Sequence, residues 1–195
     1  VSSPVVPTVP DIVVAAERRA AEHSFVCSCA APTGPLLATL AAAVRPGGRV
    51  LELGTGVGVG TAWIVSGLEG REDVEVVTIE RDDALADVVR NAKDPDLPVT
   101  VLTGDVEAVL PGLGTFDLVF ADAEGGKWSG LDLTIAALAP GGVLLVDDMD
   151  LARYSAPEHR AAVTRVRETL LTHPSLVSVE LATGTGHILS SRRPR

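Results

Sequence analysis

The sequence predicts an α/β fold: a doubly wound, seven-stranded sheet, mostly parallel, that ends in an antiparallel C-terminal hairpin. Three observations predict it. Between residues 49 and 147, short apolar runs alternate with helical segments, an order that implies right-handed crossovers and parallel strands. Hydrophobic residues make up 46% of the 195 residues and aromatics only 3%, so the core is built from Val, Leu, Ala and Ile, as suits strands covered on both faces. Two last apolar runs, 176–181 and 187–191, are separated by Thr183-Gly184-Thr185-Gly186 and read as an antiparallel pair.

Taken in order, Pro4, Pro7 and Pro10 make the start an irregular arm. Asp11 is placed to cap a helix running to about Glu22, and a second helix is predicted over 35–44, stopped by Pro46-Gly47-Gly48. Strands are predicted near 49–53, 74–80, 98–103, 116–121 and 142–147, with helices near 60–68, 83–92, 106–110 and 129–138. Ser155-Ala156-Pro157-Glu158 reads as a capping box with proline in the first turn. The helix behind it, to about 172, sets Val163, Val166 and Leu170 on one face. The length suits one domain, 1–195, with a helical arm over 1–45 and a core over 46–195.

Composition narrows the function classes. A net charge of −10 speaks against a nucleic-acid substrate, whose affinity rests on clustered Lys and Arg. The basic run Arg192-Arg193-Pro194-Arg195 reads as a solvated tail. No apolar stretch approaches the roughly 18 residues of a membrane span. The start lacks the charged and apolar regions of a signal peptide, and Cys27 and Cys29 suggest neither a disulfide framework nor a zinc site. A cytoplasmic protein is expected. Arginine outnumbers lysine fourteen to two, which hints at a GC-rich bacterial genome.

The most informative segment is Val50-Leu51-Glu52-Leu53-Gly54-Thr55-Gly56-Val57-Gly58-Val59-Gly60. An apolar strand ends in an acid and breaks into alternating glycines before a helix, as where backbone must approach a nucleotide-like ligand. The spacing never satisfies G-x-G-x-x-G, because the sixth positions are Val59, Thr61 and Trp63. The dinucleotide fingerprint is absent, which disfavours a nicotinamide oxidoreductase. The helix N-terminus after the turn offers N–H groups and a positive dipole end to a carboxylate. Glu80, at the end of the second strand, is placed to accept two ribose hydroxyls, or else to favour a helix dipole. Asp105, in Thr103-Gly104-Asp105-Val106, suits an N-cap.

The E-x-G-x-G-x-G turn resembles the first motif of class I S-adenosylmethionine-dependent methyltransferases. That resemblance implies a Rossmann-like fold and a cofactor site of Glu52, Gly54, Thr55, Gly56, Gly58, Glu80, Arg81, Gly104, Asp105, Val106 and Asp122. It also implies that Asp105 receives the adenine amino group while Val106 offers a backbone N–H. Cys27-Ser28-Cys29 would line the methionine end, or are small core residues.

Farther along, the segments from Phe116 to Trp128 and from Gly141 to Met149 resemble the small O-methyltransferases of the catechol and caffeoyl-coenzyme A type. The resemblance spans roughly residues 25 to 191. It implies Lys127 and Asp122 as catalytic residues, with Lys127 as general base or oxyanion partner. The family's metal ligands fall on Asp122, Asp147 and Asp148, the last standing where the pattern has Asn. Three carboxylates suit Mg²⁺ or another divalent cation. Alternatively, the strand-five pair points apart, since successive side chains alternate. Lys127 follows Asp122 at a longer spacing than in the family, by the equivalent of Gly125-Gly126. Trp128 would wall an aromatic acceptor or start the next helix.

The four histidines show no ligand spacing. The expected activity is methyl transfer to a hydroxyl of a small molecule. Methyl transfer to nitrogen or carbon, and a non-catalytic S-adenosylmethionine-binding protein, are the alternatives. By analogy alone, the arm and the terminal hairpin could support a homodimer.

Overall fold

The computed structural model describes residues 8–92 and 99–194. Pro4 and Pro7 of the arm, the expected strand start at 98 and Arg195 of the tail lie outside the described residues. Two helices, α1 (Asp11–Glu22) and α2 (Thr33–Ala42), precede the alternating core. That core runs β1 (Arg49–Leu53), α3 (Val59–Gly67), β2 (Glu75–Glu80), α4 (Asp83–Ala92), β3 (Val99–Thr103), α5 (Val106–Val109), β4 (Phe116–Ala121), α6 (Leu131–Ala136) and β5 (Leu138–Val146). α7 (Pro157–Thr172) leads to the hairpin β6 (Leu176–Leu181) and β7 (His187–Arg192).

The sheet has seven strands in the order β3-β2-β1-β4-β5-β7-β6. The first five pair in parallel, while β7 pairs antiparallel with both β5 and β6. The order reverses between β1 and β4, so the carboxyl ends of these neighbours open a crevice there. Strand alternation divides the core between two faces. Val50, Val76, Leu118 and Phe120 face α1–α4, whereas Leu51, Leu53, Val77 and Val119 face α5–α7. Val13, Ala16, Leu37 and Ala41 of the arm helices are buried in the first of these cores. Among the described residues, no helix is long and apolar enough to cross a membrane.

Three local expectations are corrected. Asp11 is the first residue of α1 rather than its cap; Pro10 is the N-cap and makes no side-chain bond. α7 likewise starts behind Ala156 with Pro157 in its first turn, and no side chain caps it. Fixed proline geometry orders the first turn in place of a hydroxyl. β5 begins at Leu138, not 142, because Pro140-Gly141-Gly142 sits inside the strand. The register there shifts between the Phe116↔Leu138 and Leu118↔Val143 pairs, so a turn-like sequence forms a bulge.

α2 and α3 pack closely at a glycine: a Cβ on Gly67 would collide with the backbone carbonyl of Ala38. Backbone cannot step aside as a side-chain tip can. Gly67→Ala is therefore expected to destabilise the protein by about 1–3 kcal/mol, read as a lower urea midpoint at unchanged m value. An unchanged midpoint would mean that α2 can slide.

Candidate active site

The carboxyl ends of β1, β2 and β4, with the loop after β3, surround a cavity of about 280 Å³. The glycine turn forms its floor. Gly54 and Gly56 both have positive φ, at 96° and 53°, and the ring of Phe25 lies where a Cβ on Gly56 would stand, about 2.7 Å away. Glycine is needed at this close approach between arm and turn. Phe25 lines the cavity together with Cys27, Ser28 and Cys29.

Nine of the sequence-predicted cofactor residues line this space: Glu52, Gly54, Thr55, Gly56, Glu80, Arg81, Asp105, Val106 and Asp122. Gly58 and Gly104 do not. Gly58 is the left-handed N-cap of α3 and backs onto Arg19 and Val89, while Gly104 faces Val109. Both serve chain reversal. Sequence reading also missed Gly60, Phe120 and Glu124 as lining residues. For Phe25, its place among only three phenylalanines was a faint signal.

Glu80 is folded toward the turn. Its Oε2 accepts the Gly56 N–H at 2.8 Å and its Oε1 accepts the Asp82 N–H at 3.0 Å. A carboxylate oxygen has a second lone pair, so these bonds orient Glu80 without exhausting it. Asp105 caps α5 through a 2.8 Å bond from the Glu107 N–H, the N-cap role its sequence suits. Arg81 meets Glu124 at 3.6 Å with both side chains mostly in solvent, a contact of little energetic weight.

Glu52 lies deeper, 1% exposed. Its Oε2 accepts the hydroxyls of Thr61 and, at 2.7 Å, Thr78, whose oxygen is 2.6 Å from that of Thr55. Its Oε1 lies against Gly60, where any Cβ would collide. Burial pushes the Glu52 carboxyl up to about 7; the threonine bonds oppose this, and the nearby charges of Asp122 and Glu80 add to it.

Beside this cavity the ends of β4 and β5 hold an ion cluster. The Lys127 ammonium lies 3.3 Å from Asp122 Oδ1 and 2.9 Å from Asp148 Oδ2, and 4.7 Å from the centre of the Trp128 ring. Lys127 is 2% exposed, not the solvent-exposed loop lysine that is common at such positions. Burial alone would lower its pKa, but the carboxylates of Asp122, Asp148 and Asp147 outweigh that and raise it. A lysine held charged in this way suits an oxyanion partner better than a proton acceptor. Asp122 is raised well above the usual carboxylate range, chiefly by burial, with Lys127 opposing.

Asp147 and Asp148 point apart. Asp147 Oδ1 accepts the Thr185 hydroxyl and, at 2.6 Å, the Asp148 N–H, and lies 3.3 Å from His187 Nε2. That histidine nitrogen is also 2.9 Å from the Thr33 hydroxyl, and burial lowers the His187 pKa. Asp148 takes φ +68°, which aims its carboxylate at Lys127 and the Tyr154 hydroxyl. The three aspartates therefore do not form one cation cage. Among the described residues, no group of three His, Cys, Asp or Glu side chains is placed to hold a metal ion. A hard divalent cation needs converging oxygens, and here one carboxylate is committed elsewhere while an ammonium joins the other two. The residues as arranged do not fit the cation.

Tyr154 stacks on His159 at 4.1 Å, and Trp128 meets the same ring edge-on at 5.2 Å. Trp128 thus belongs to an aromatic cluster beside Lys127 and precedes α6 rather than starting it.

Known proteins resemble this chain along most of its length. A family model described as a methyltransferase domain matches residues 51–149. A relative from Mycobacterium sp. (strain JLS), described as "Putative O-methyltransferase", is 28% identical over 197 residues, covering 93% of this chain and 87% of its own. The crystal structure of cofactor-bound Rv0187 from MTB is 27% identical at a TM-score of 0.82, covering 96% of this chain and 92% of that one. The O-methyltransferase TomG from Streptomyces achromogenes, solved in complex with SAM, is 24% identical at a TM-score of 0.80 and covers 95% of this chain and 91% of its own. At that identity the likeness to TomG is one of fold.

Proposed function

The chain belongs to the methyltransferase-domain family, and from that premise we propose that it transfers the methyl group of S-adenosylmethionine to a hydroxyl of a small-molecule acceptor. One observation carries this reading: the glycine-floored cavity, lined by Glu52, Glu80, Asp105 and Asp122, adjoins the buried ion cluster of Asp122, Lys127 and Asp148. The cofactor is a sulfonium carrying an ammonium group, and a cavity rich in carboxylates complements both positive charges. Its ribose hydroxyls suit Glu80, and its carboxylate suits the N–H groups at the start of α3.

The transfer is an in-line displacement. With the cofactor bound, its methyl would be the electrophile: the acceptor oxygen would bond to the methyl carbon as the carbon–sulfur bond breaks and its electron pair stays on a neutral thioether. The hydroxyl proton passes to Asp122, which lines the cavity, and from there to solvent. Lys127 faces the oxygen as negative charge develops on it, an electrostatic role suited to a buried ammonium held charged by neighbouring carboxylates. Trp128, Tyr154 and His159 form an aromatic wall near the same point, which favours a planar acceptor such as a phenol.

Isothermal titration of the purified protein tests the cofactor half. S-adenosylhomocysteine should bind one per chain, and Glu80→Ala should weaken it by about 10–100-fold through loss of charge-assisted hydrogen bonds. No heat of binding in the wild type would end the reading. Mass spectrometry of a phenol and catechol panel with S-adenosylmethionine tests the acceptor half, with methylation at oxygen expected.

A further inference from the structure

Resting on that reading, we infer that the Lys127 ammonium takes, in this chain, the place between the aspartates that a divalent cation takes in the resembling O-methyltransferases, and that the site works without a resident metal. The argument starts in the loop. Gly125-Gly126 lengthens the segment between Asp122 and Lys127, and the extra residues fold inward. Gly126 has φ +81°, donates its N–H to the Ser129 carbonyl at 2.7 Å and accepts the Thr134 hydroxyl at 2.8 Å. A Cβ there would lie 2.6 Å from Leu53 Cδ1 and 2.9 Å from Thr134 Oγ1. Glycine alone fits this tucked turn, and the tuck carries Lys127 beneath the surface to within 2.9 Å of Asp148 and 3.3 Å of Asp122.

The aspartates are committed to match. Asp147 is held by Thr185, His187 and the backbone of Asp148. The Thr185 bond comes from the β6–β7 turn and the His187 contact from β7, so turning Asp147 toward a cation would strip buried partners from both. Asp147 accepts the Asp148 N–H, beside the left-handed backbone that aims the Asp148 carboxylate at Lys127. One ammonium between two carboxylates leaves at most a single uncompensated negative charge, and a cation entering between them would have to displace a buried lysine.

Manganese(II) is the probe, titrated into chelator-treated wild-type protein loaded with S-adenosylhomocysteine, with free Mn²⁺ followed by electron paramagnetic resonance. The wild type should bind no stoichiometric Mn²⁺ below millimolar concentration. Lys127→Met should gain one site per chain, at least about tenfold tighter, because Asp122 and Asp148 then lack their counter-charge. One Mn²⁺ per wild-type chain at micromolar concentration overturns the inference, whether or not the variant folds. So does a folded Lys127→Met variant with no gain in affinity. The same samples separate the two levels of the argument. Loss of S-adenosylhomocysteine binding sinks the methyltransferase reading, whereas intact binding with a stoichiometric wild-type Mn²⁺ site sinks only this inference.

Discussion

Lys127→Met should lower kcat by about 10²–10³-fold, the range seen when one donor to a developing oxyanion is removed. S-adenosylhomocysteine affinity should stay within about threefold, since Lys127 is not among the residues lining the cavity. That separation is the diagnostic: lost turnover with retained cofactor places the ammonium on the acceptor side. The same substitution carries a stability cost. Removing one partner of a fully buried ion pair typically costs about 3–5 kcal/mol, because the other charge is left uncompensated. Here the low end is expected, since the Asp148 side chain is 32% exposed and Asp122 17%, so water and protonation relieve part of the strain. Urea melts give the stability and steady-state kinetics the turnover. An unchanged kcat would remove Lys127 from the chemistry, and a large loss of cofactor affinity would move it to the other half of the site.

The cavity was legible because its polar groups sit at strand ends, and strand ends are marked by local pattern. Glu52, Glu80 and Asp105 each close an apolar run, and all three line the cavity. Gly58 and Gly104 sit in strand-end turns too but lie outside the cavity lining, since position in a turn does not fix which residues face inward. The ion cluster beside the cavity was less legible because its geometry is non-local. Nothing near Asp147 signals that its partners are Thr185 and His187, 38 and 40 positions away, or that Thr33 supports them. The diglycine insertion was visible as a departure in spacing, but not its consequence that the lysine turns inward. Fold class came through whole because alternating periods of two and 3.6 are repeated along the chain. Caps and the β5 bulge did not: at α1 Pro10, and at α7 Ala156 followed by Pro157, stand where a capping side chain is expected, and at β5 the turn-like Pro140-Gly141-Gly142 is taken into the strand as a bulge.

A second large effect is expected at Glu52, and its sign follows from where the proton sits. In the unfolded chain this carboxyl titrates near 4.5, and in the folded protein at about 7. The folded state therefore binds a proton between those values that the unfolded state has released, and stability must fall as pH rises across that window. The group contributes fully below about 4.5 and its contribution is lost by about 7, for a total of about 3 kcal/mol at 1.36 kcal/mol per unit. Full burial means that little of this is screened. Glu52→Gln keeps an oxygen for the Thr61 and Thr78 hydroxyls but cannot ionise. Cofactor-free wild type should thus lose about 3 kcal/mol more than the variant between pH 4.5 and pH 8 in urea melts. Parallel profiles would show that Glu52 is already ionised in the folded protein. The cofactor should reverse the balance, because a positive charge entering the cavity favours the anion. S-adenosylmethionine binding near pH 6 should then release a proton, seen as a binding enthalpy that changes with the ionisation enthalpy of the buffer. Glu52→Gln should abolish that dependence and bind the cofactor more weakly, since it meets the cation with a neutral amide. If proton release persists in Glu52→Gln, the proton belongs to another carboxyl of the cavity, and Asp122, raised by the same burial, is the one to test next.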